Sequence, residues 1–155
     1  MDKVIAKNVL KMTSSILLIS PRLHAILTEL GCYGKLYTML SSLRDQFQTE
    51  DILEICNSLF VLATKGYYYF IVERPLFLNK IGTLEEKLDN IPYSDFAPIC
   101  KYIQIKEQFF LSMLLKCLFE WNASSKVKKF YLQILDHMTA SSLSNAGACA
   151  QVIDD

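Results

Sequence analysis

The stretch Ala25–Leu40, AILTELGCYGKLYTML, contains an apolar helical pattern that Gly31 and Gly34 interrupt. Just upstream, Ser20-Pro21 forms a helix start, because serine caps the first turn and proline at the first helical position loses no hydrogen bond. Gly31 suits the left-handed residue that ends many helices. The stretch therefore predicts two short helices joined by a sharp reversal that both glycines allow.

Three longer helices are predicted on either side of this reversal, from apolar residues that recur every three or four positions. The rows are Ile5, Val9, Met12, Ile16 and Ile19; then Ile52, Ile55, Leu59 and Leu62; then Phe110, Met113, Cys117 and Trp121. A further apolar row lies beside each of the last two: Leu53, Cys56 and Phe60, and Leu111, Leu114 and Leu118. Helices that are apolar around so much of their circumference are expected in a core, with other helices packed around them.

The same order of elements recurs downstream at a period of about 43 residues, within the range of HEAT and armadillo repeats. NSLFVLATKG (57–66) ends a core helix at Gly66, and Thr83 with Glu86 can form a capping box. A third unit begins with LLKCLFEWNASSKVKKFYLQILDHM (114–138). Before it, Pro92 and Pro98 predict an irregular insertion near residues 90–105.

AILTELGCYGKLYTMLSSLRD followed by TEDILEICNSLFVLATKG resembles an armadillo repeat, in which two short helices lead to a long buried third helix. The resemblance covers residues 2–90 well and residues 106–138 loosely. It implies an all-α, right-handed solenoid of about three stacked repeats, with a groove that holds peptides or partner domains. The family's readers of nuclear-localisation peptides carry Trp and Asn one helical turn apart. Here Trp121 and Asn122 are adjacent, so that activity is not implied.

The expected armadillo-like domain spans residues 1–138. Residues 139–155, TASSLSNAGACAQVIDD, are small and polar and are expected to form a flexible C-terminal tail. Since stacked repeats bury apolar faces against their neighbours, we expect exposed apolar surface at both ends of the stack. A second fold stays open: a compact multi-helix bundle of the Bcl-2-like kind, which binds a partner helix in a surface groove.

Catalysis, metal binding and cofactors are not expected from the inventory of reactive residues. His24 and His137 are the only histidines, and no His or Cys pair has zinc-ligand spacing. The five cysteines are irregularly spaced, which predicts reduced thiols and an intracellular location, cytoplasmic or nuclear. An enzyme with a cysteine nucleophile would need a depressed thiol pKa beside one of the two histidines.

The remaining chemistry favours a protein partner over nucleic acid or a membrane. The formal net charge is zero, and the apolar run Phe109–Phe119 is too short to span a bilayer. Tyrosine is favoured at interfaces, and lysines beside aromatic residues can grip an anionic partner. The partner-binding candidates are Tyr67, Tyr68, Tyr69, Arg74, Trp121, Lys126, Lys128 and Lys129. The predicted function is a non-catalytic interaction module or scaffold that docks a protein, a peptide or a second copy of itself.

Overall fold

The computed structural model describes residues 2–66, 88, 98, 100–121 and 123–154. These residues form seven α-helices and one short 3₁₀ helix, Arg44–Gln46, and no strand. The helices are α1 (Lys3–Ile19), α2 (Pro21–Glu29), α3 (Cys32–Ser42), α4 (Thr49–Ala63), α5 (Gln108–Glu120), α6 (Ser125–Ser141) and α7 (Leu143–Asp154). The prediction of an all-α chain is confirmed.

The reversal between α2 and α3 depends on one glycine instead of two. The Ser20 hydroxyl accepts a hydrogen bond from the Leu23 N–H at 3.3 Å, as expected for a cap before Pro21. Gly31 has φ of 69°, a left-handed conformation that glycine adopts without strain. Gly34 lies inside the first turn of α3. The expectation that Gly34 shares in the reversal is therefore corrected.

The central helix ends at Ala63, three residues before the predicted end at Gly66. Lys65 and Gly66 have φ of 50° and 88°, and the Gly66 N–H donates to the Val61 carbonyl at 2.8 Å. This bond satisfies a carbonyl that the helix end would otherwise leave open. The Ala63 carbonyl accepts from the N–H groups of Lys106 and Glu107, at 2.9 and 3.0 Å. These bonds fix the start of α5 against the end of α4.

The core is built around α4, which packs against α1 and against α5. Both predicted apolar rows of α4 and both rows of α5 are buried. Tyr131 of α6 closes a further side of α4, where its ring stacks on Phe60 at 5.7 Å and its hydroxyl donates to the Asn57 side chain. From Asp51 to Ala63, Glu54 alone is not buried.

The structure corrects the expected orientation of α1. Its buried residues are Ala6, Leu10, Ser14 and Leu17, and the predicted row that starts at Ile5 lies on the other side. The small side chains of Ala6 and Ser14 lie on this buried face together with Leu10 and Leu17.

The structure also corrects the flexible tail that the sequence predicts over residues 139–155. Helix α6 continues to Ser141, and α7 packs against α5 and α6. Asn145 is 1% exposed, and its side chain accepts from the Ile105 N–H at 2.9 Å and donates to the carbonyls of Ile103 and Met138 at 2.8 and 3.2 Å. The helix is thus held by the Asn145 amide and by Ala148, Cys149 and Val152, which pack in or against the core. Residues 103–105, near the end of the expected insertion, are neither helix nor strand.

Candidate interaction surface

Four of the eight partner-binding candidates, Tyr67, Tyr68, Tyr69 and Arg74, lie outside the described residues. Trp121 is described, and its position corrects the expectation of a surface contact. The residue is 4% exposed, and its ring stacks on Tyr37 and Phe47 with centroid distances of 6.0 and 5.8 Å. Trp121 therefore belongs to the packing between α3, the segment that follows it and α5.

The three lysine candidates lie in the first two turns of α6. Lys129 is exposed and Lys126 and Lys128 are half-exposed, with the Lys128 ammonium 5.9 Å from the centre of the Phe119 ring. An open depression of about 460 Å³ runs along this helix. Its lining residues are Ser125, Lys128, Lys129, Leu132, Gln133 and Asp136. Two lysines and one aspartate thus line the depression.

A different surface, on α1, carries exposed apolar residues. We define the outer row as Ile5, Val9, Met12, Ile16 and Ile19 of α1. Ile5, Met12 and Ile19 are 53%, 59% and 83% exposed, and Val9 and Ile16 are half-buried. At about 100° per residue, the outer row lies roughly opposite the buried row of α1. Val9 also packs against the core, so the solvent-exposed part of the outer row is Ile5, Met12 and Ile19.

Helix α2 extends this apolar exposure. Leu23, Ile26 and Leu30 are exposed, and His24 is the buried residue of the helix. We define the outer surface as the outer row together with these three residues. Monomeric proteins rarely leave large contiguous apolar patches open, and such patches commonly mark interaction sites. The apolar period of the outer row predicts a core position, and the exposure of Ile5, Met12 and Ile19 corrects that prediction.

Ion pairs with α4 hold α1 in this orientation. Asp51 pairs with Lys3 at 2.9 Å and also binds Lys7, and Glu54 lies 3.2 Å from Lys7 and 3.6 Å from Lys11. Burial opposes the ionisation of Asp51, but hydrogen bonds from Lys7, the Gln48 N–H and Lys3 bring its pKa down to about 2. The same carboxylates outweigh the effect of burial on Lys7, whose pKa is raised. The lysines therefore face α4, and the outer row faces away from them.

A buried polar contact fixes α2 to the next helix. His24 Nδ1 lies 2.7 Å from the Tyr33 hydroxyl, and the Tyr33 ring packs edge-on against Phe110 at 4.8 Å. Burial lowers the pKa of His24, although Glu107 opposes the shift, and burial raises the pKa of Tyr33 to about 12. The histidine is thus neutral at pH 7 and serves packing. Helix α2 also packs on the core through Leu27, whereas Leu23, Ile26 and Leu30 are exposed.

Four of the five described thiols are poorly suited to nucleophilic attack. Burial raises the pKa of Cys100 to about 11 and raises the pKa of Cys56, Cys117 and Cys149 above the ordinary value. A reactive cysteine needs the opposite shift, because the thiolate is the nucleophile. In the part of the chain that the structure describes, no group of three His, Cys, Asp or Glu residues is placed to hold a metal ion.

The search for a membrane-crossing element among the described helices found none that combines the necessary length and apolar character. Comparison with known proteins gave no match: no protein-family model, no curated protein and no solved structure corresponds to this chain. The outer surface therefore has to be interpreted from its own geometry and chemistry.

Proposed function

We propose that this chain is a non-catalytic interaction module that docks a partner protein on the outer surface of α1 and α2. The observation that carries the proposal is the exposure of Ile5, Met12 and Ile19 on a helix that is fixed to the core by its opposite face. A rigid apolar row can gain free energy from a partner without the cost of ordering the helix at the moment of binding.

For the architecture we propose the armadillo-like stack, with α1, α4 and α5 as successive core helices. Two contacts support it: α4 packs against α1 and against α5, and the two short helices α2 and α3 lie between α1 and α4 in the chain. In such a stack the outer row is the open end of the first layer, and a docked partner takes the place of a further repeat.

The alternative is a compact bundle in which a central helix is wrapped by the others and a surface groove binds a partner helix. The burial of α4 on nearly all sides, with Tyr131 of α6 against it, favours this alternative. The two architectures place the partner differently. In a stack the partner covers the outer row of α1, whereas in a bundle the partner helix binds in a groove between helices.

Site-directed photo-crosslinking tests the proposed docking surface. A benzophenone amino acid at Ile19 of the full chain, irradiated in a native lysate, should give a discrete crosslinked species. The matched control carries the same group at Leu143 of α7, which is 93% exposed and far from the outer row in sequence. Met12→Glu should abolish the Ile19 crosslink and leave far-UV circular dichroism unchanged, because it places a charge in the docking surface. Equal labelling from the two positions would contradict the proposal.

A further inference from the structure

Helix α2 is attached to the rest of the protein by two inward-facing side chains. His24 is 4% exposed, and the half-buried Leu27, about one turn along the same face, packs against the core. The other residues of α2 are exposed. One of the two attached side chains is thus an imidazole, whose ordinary pKa lies closest to neutral pH among the side chains.

The surroundings of the His24 ring suit its neutral form. Nδ1 lies 2.7 Å from the Tyr33 hydroxyl, and the ring centre lies 5.3 Å from that of Tyr33 and 6.1 Å from that of Phe110. Nε2 is buried as well, and no residue that the structure describes forms a hydrogen bond with it. A protonated imidazole carries an N–H at both nitrogens. Charging the ring in place would therefore bury a cationic donor without an acceptor, which is unfavourable.

The described titratable groups that interact with the ring come from three neighbouring segments. Tyr33 of α3 forms the hydrogen bond, Glu107 just before α5 favours the charged ring, and Lys65 just after α4 opposes it. Lys65 and Glu107 lie 3.4 Å apart as an ion pair, so each offsets the charge of the other. Burial is the largest influence, and it lowers the pKa of His24 from the ordinary 6.5.

The other charged groups on the two helices nearest to His24 in sequence are turned elsewhere. On α1, the lysines at positions 3, 7 and 11 pair with the α4 carboxylates of Asp51 and Glu54. On α2 itself, Arg22 and Glu29 are exposed. Among the described groups, Glu107 is therefore the carboxylate that protonated His24 would attract, and its own partner Lys65 limits that attraction.

We propose that His24 is a pH switch: protonation of its ring in mildly acidic solution releases α2 from Tyr33 and Phe110 while the rest of the core stays folded. In the released helix the ring is hydrated and regains its ordinary pKa of 6.5. Because the attached form has the lower pKa, the attachment keeps its full strength above pH 6.5 and weakens as the pH falls towards the lower value. A helix held by so few contacts opens before the core does. The inference does not depend on what binds the outer surface.

A histidine titration and amide hydrogen exchange on the full chain test the switch together. By nuclear magnetic resonance, the ring of His24 should titrate below pH 6.5. Between pH 7 and pH 5, the protection of the amides at positions 25–30, corrected for intrinsic exchange rates, should fall at least about threefold, since one linked proton contributes up to about tenfold per pH unit. The amides of α4 should keep their protection over the same range.

Two variants and a control assign the effect to the ring. His24→Asn keeps a polar group that can bond Tyr33 but does not titrate, so the protection of α2 should be equal at both pH values. Glu107→Gln removes the carboxylate that favours the charged ring, so His24 should titrate at lower pH and the acid loss of protection should be larger. Glu107 makes no side-chain cap to α5, which makes this change mild. His137→Asn on α6 changes the other histidine and should leave α2 as in the wild type.

The results that overturn the switch are distinct from global acid unfolding. The proposal fails if His24 titrates at pH 6.5 or above, if α2 keeps its protection at pH 5, or if the loss persists in His24→Asn. A loss of protection shared equally by α2 and α4 also overturns it, because the whole chain would then be opening. If a thermal melt shows that His24→Asn is unfolded at pH 7, Glu107→Gln decides, and a profile identical to the wild type refutes the role of the ring.

Discussion

Helices α1 and α4 are both strongly apolar, but they have different surroundings. Helix α4 lies against α1, α5 and Tyr131 of α6, and between Asp51 and Ala63 it leaves Glu54 alone unburied. Helix α1 packs on α4 along one face, and its outer row is exposed. The comparison shows that apolar residues around a helix predict packing against other helices. It does not predict how many of those faces other helices of the same chain cover.

The largest effect is expected from truncating a side chain inside α4. Leu59→Ala should lower the free energy of unfolding by about 2 to 5 kcal/mol, because Leu59 is fully buried and the surrounding helices cannot close the cavity. Urea unfolding followed by circular dichroism measures the change. The control is Ile19→Ala on α1, where no cavity forms. A loss below about 1 kcal/mol for Leu59→Ala would mean that α4 is not tightly enclosed.

The next effect concerns the ion pairs that join the two helices. Asp51→Asn should cost about 2 kcal/mol, because Lys3 and Lys7 would lose their shared carboxylate while Lys7 stays largely buried. Urea unfolding at pH 7 is the measurement. Asp45→Asn in the 3₁₀ helix, an exposed change of the same chemistry, provides the control. Equal stability of the two variants would show that the ion pairs do not hold α1 on α4.

The same carboxylate makes stability depend on pH. Its folded pKa of about 2 lies below the ordinary 3.8, so ionised Asp51 stabilises the folded state above pH 3.8, and this contribution is lost as the pH falls through about 2. Between pH 4 and pH 2 the wild-type chain should therefore lose about 2 kcal/mol more than Asp51→Asn. Thermal melts of both chains across this range measure the difference. Parallel pH profiles would contradict the assignment.

The smallest effect on stability is expected from the outer row. Changing Ile5, Met12 and Ile19 together to Gln should alter the free energy of unfolding by under about 0.5 kcal/mol per site, because these side chains are exposed in the folded chain. The fluorescence of a dye for apolar surfaces should fall for the folded variant. A large loss of stability measured on the monomer would place the row in an internal contact.

Much of the helical framework could be predicted from local chemistry. The cap at Ser20 and the left-handed Gly31 and Gly66 follow from preferences of single residues, and the rows of α4 and α5 follow from their period. The orientation of α1 could not be predicted in this way. Its two faces are both apolar, and the small residues Ala6 and Ser14, which mark the packed face, are weak signals in one sequence.

Contacts between distant parts of the chain account for the other differences. Trp121 is buried because Tyr37 and Phe47 lie beside it, and nothing near Trp121 in the sequence indicates that arrangement. Small, polar residues predict a tail where α7 lies, but the Asn145 side chain forms hydrogen bonds with three backbone groups. Of the outer surface, the sequence predicted that apolar groups would be exposed at the first helix, but not which residues would be exposed.

The bond from the Ile105 N–H to the Asn145 side chain has a practical consequence. A backbone amide exchanges its hydrogen with solvent only when its bond opens, and this amide is held by a side chain that α7 carries. The exchange rate at Ile105 therefore reports when α7 detaches from α5 and α6. The exchange rate of this one amide hydrogen, measured by nuclear magnetic resonance or mass spectrometry, therefore indicates whether α7 is packed on the rest of the chain.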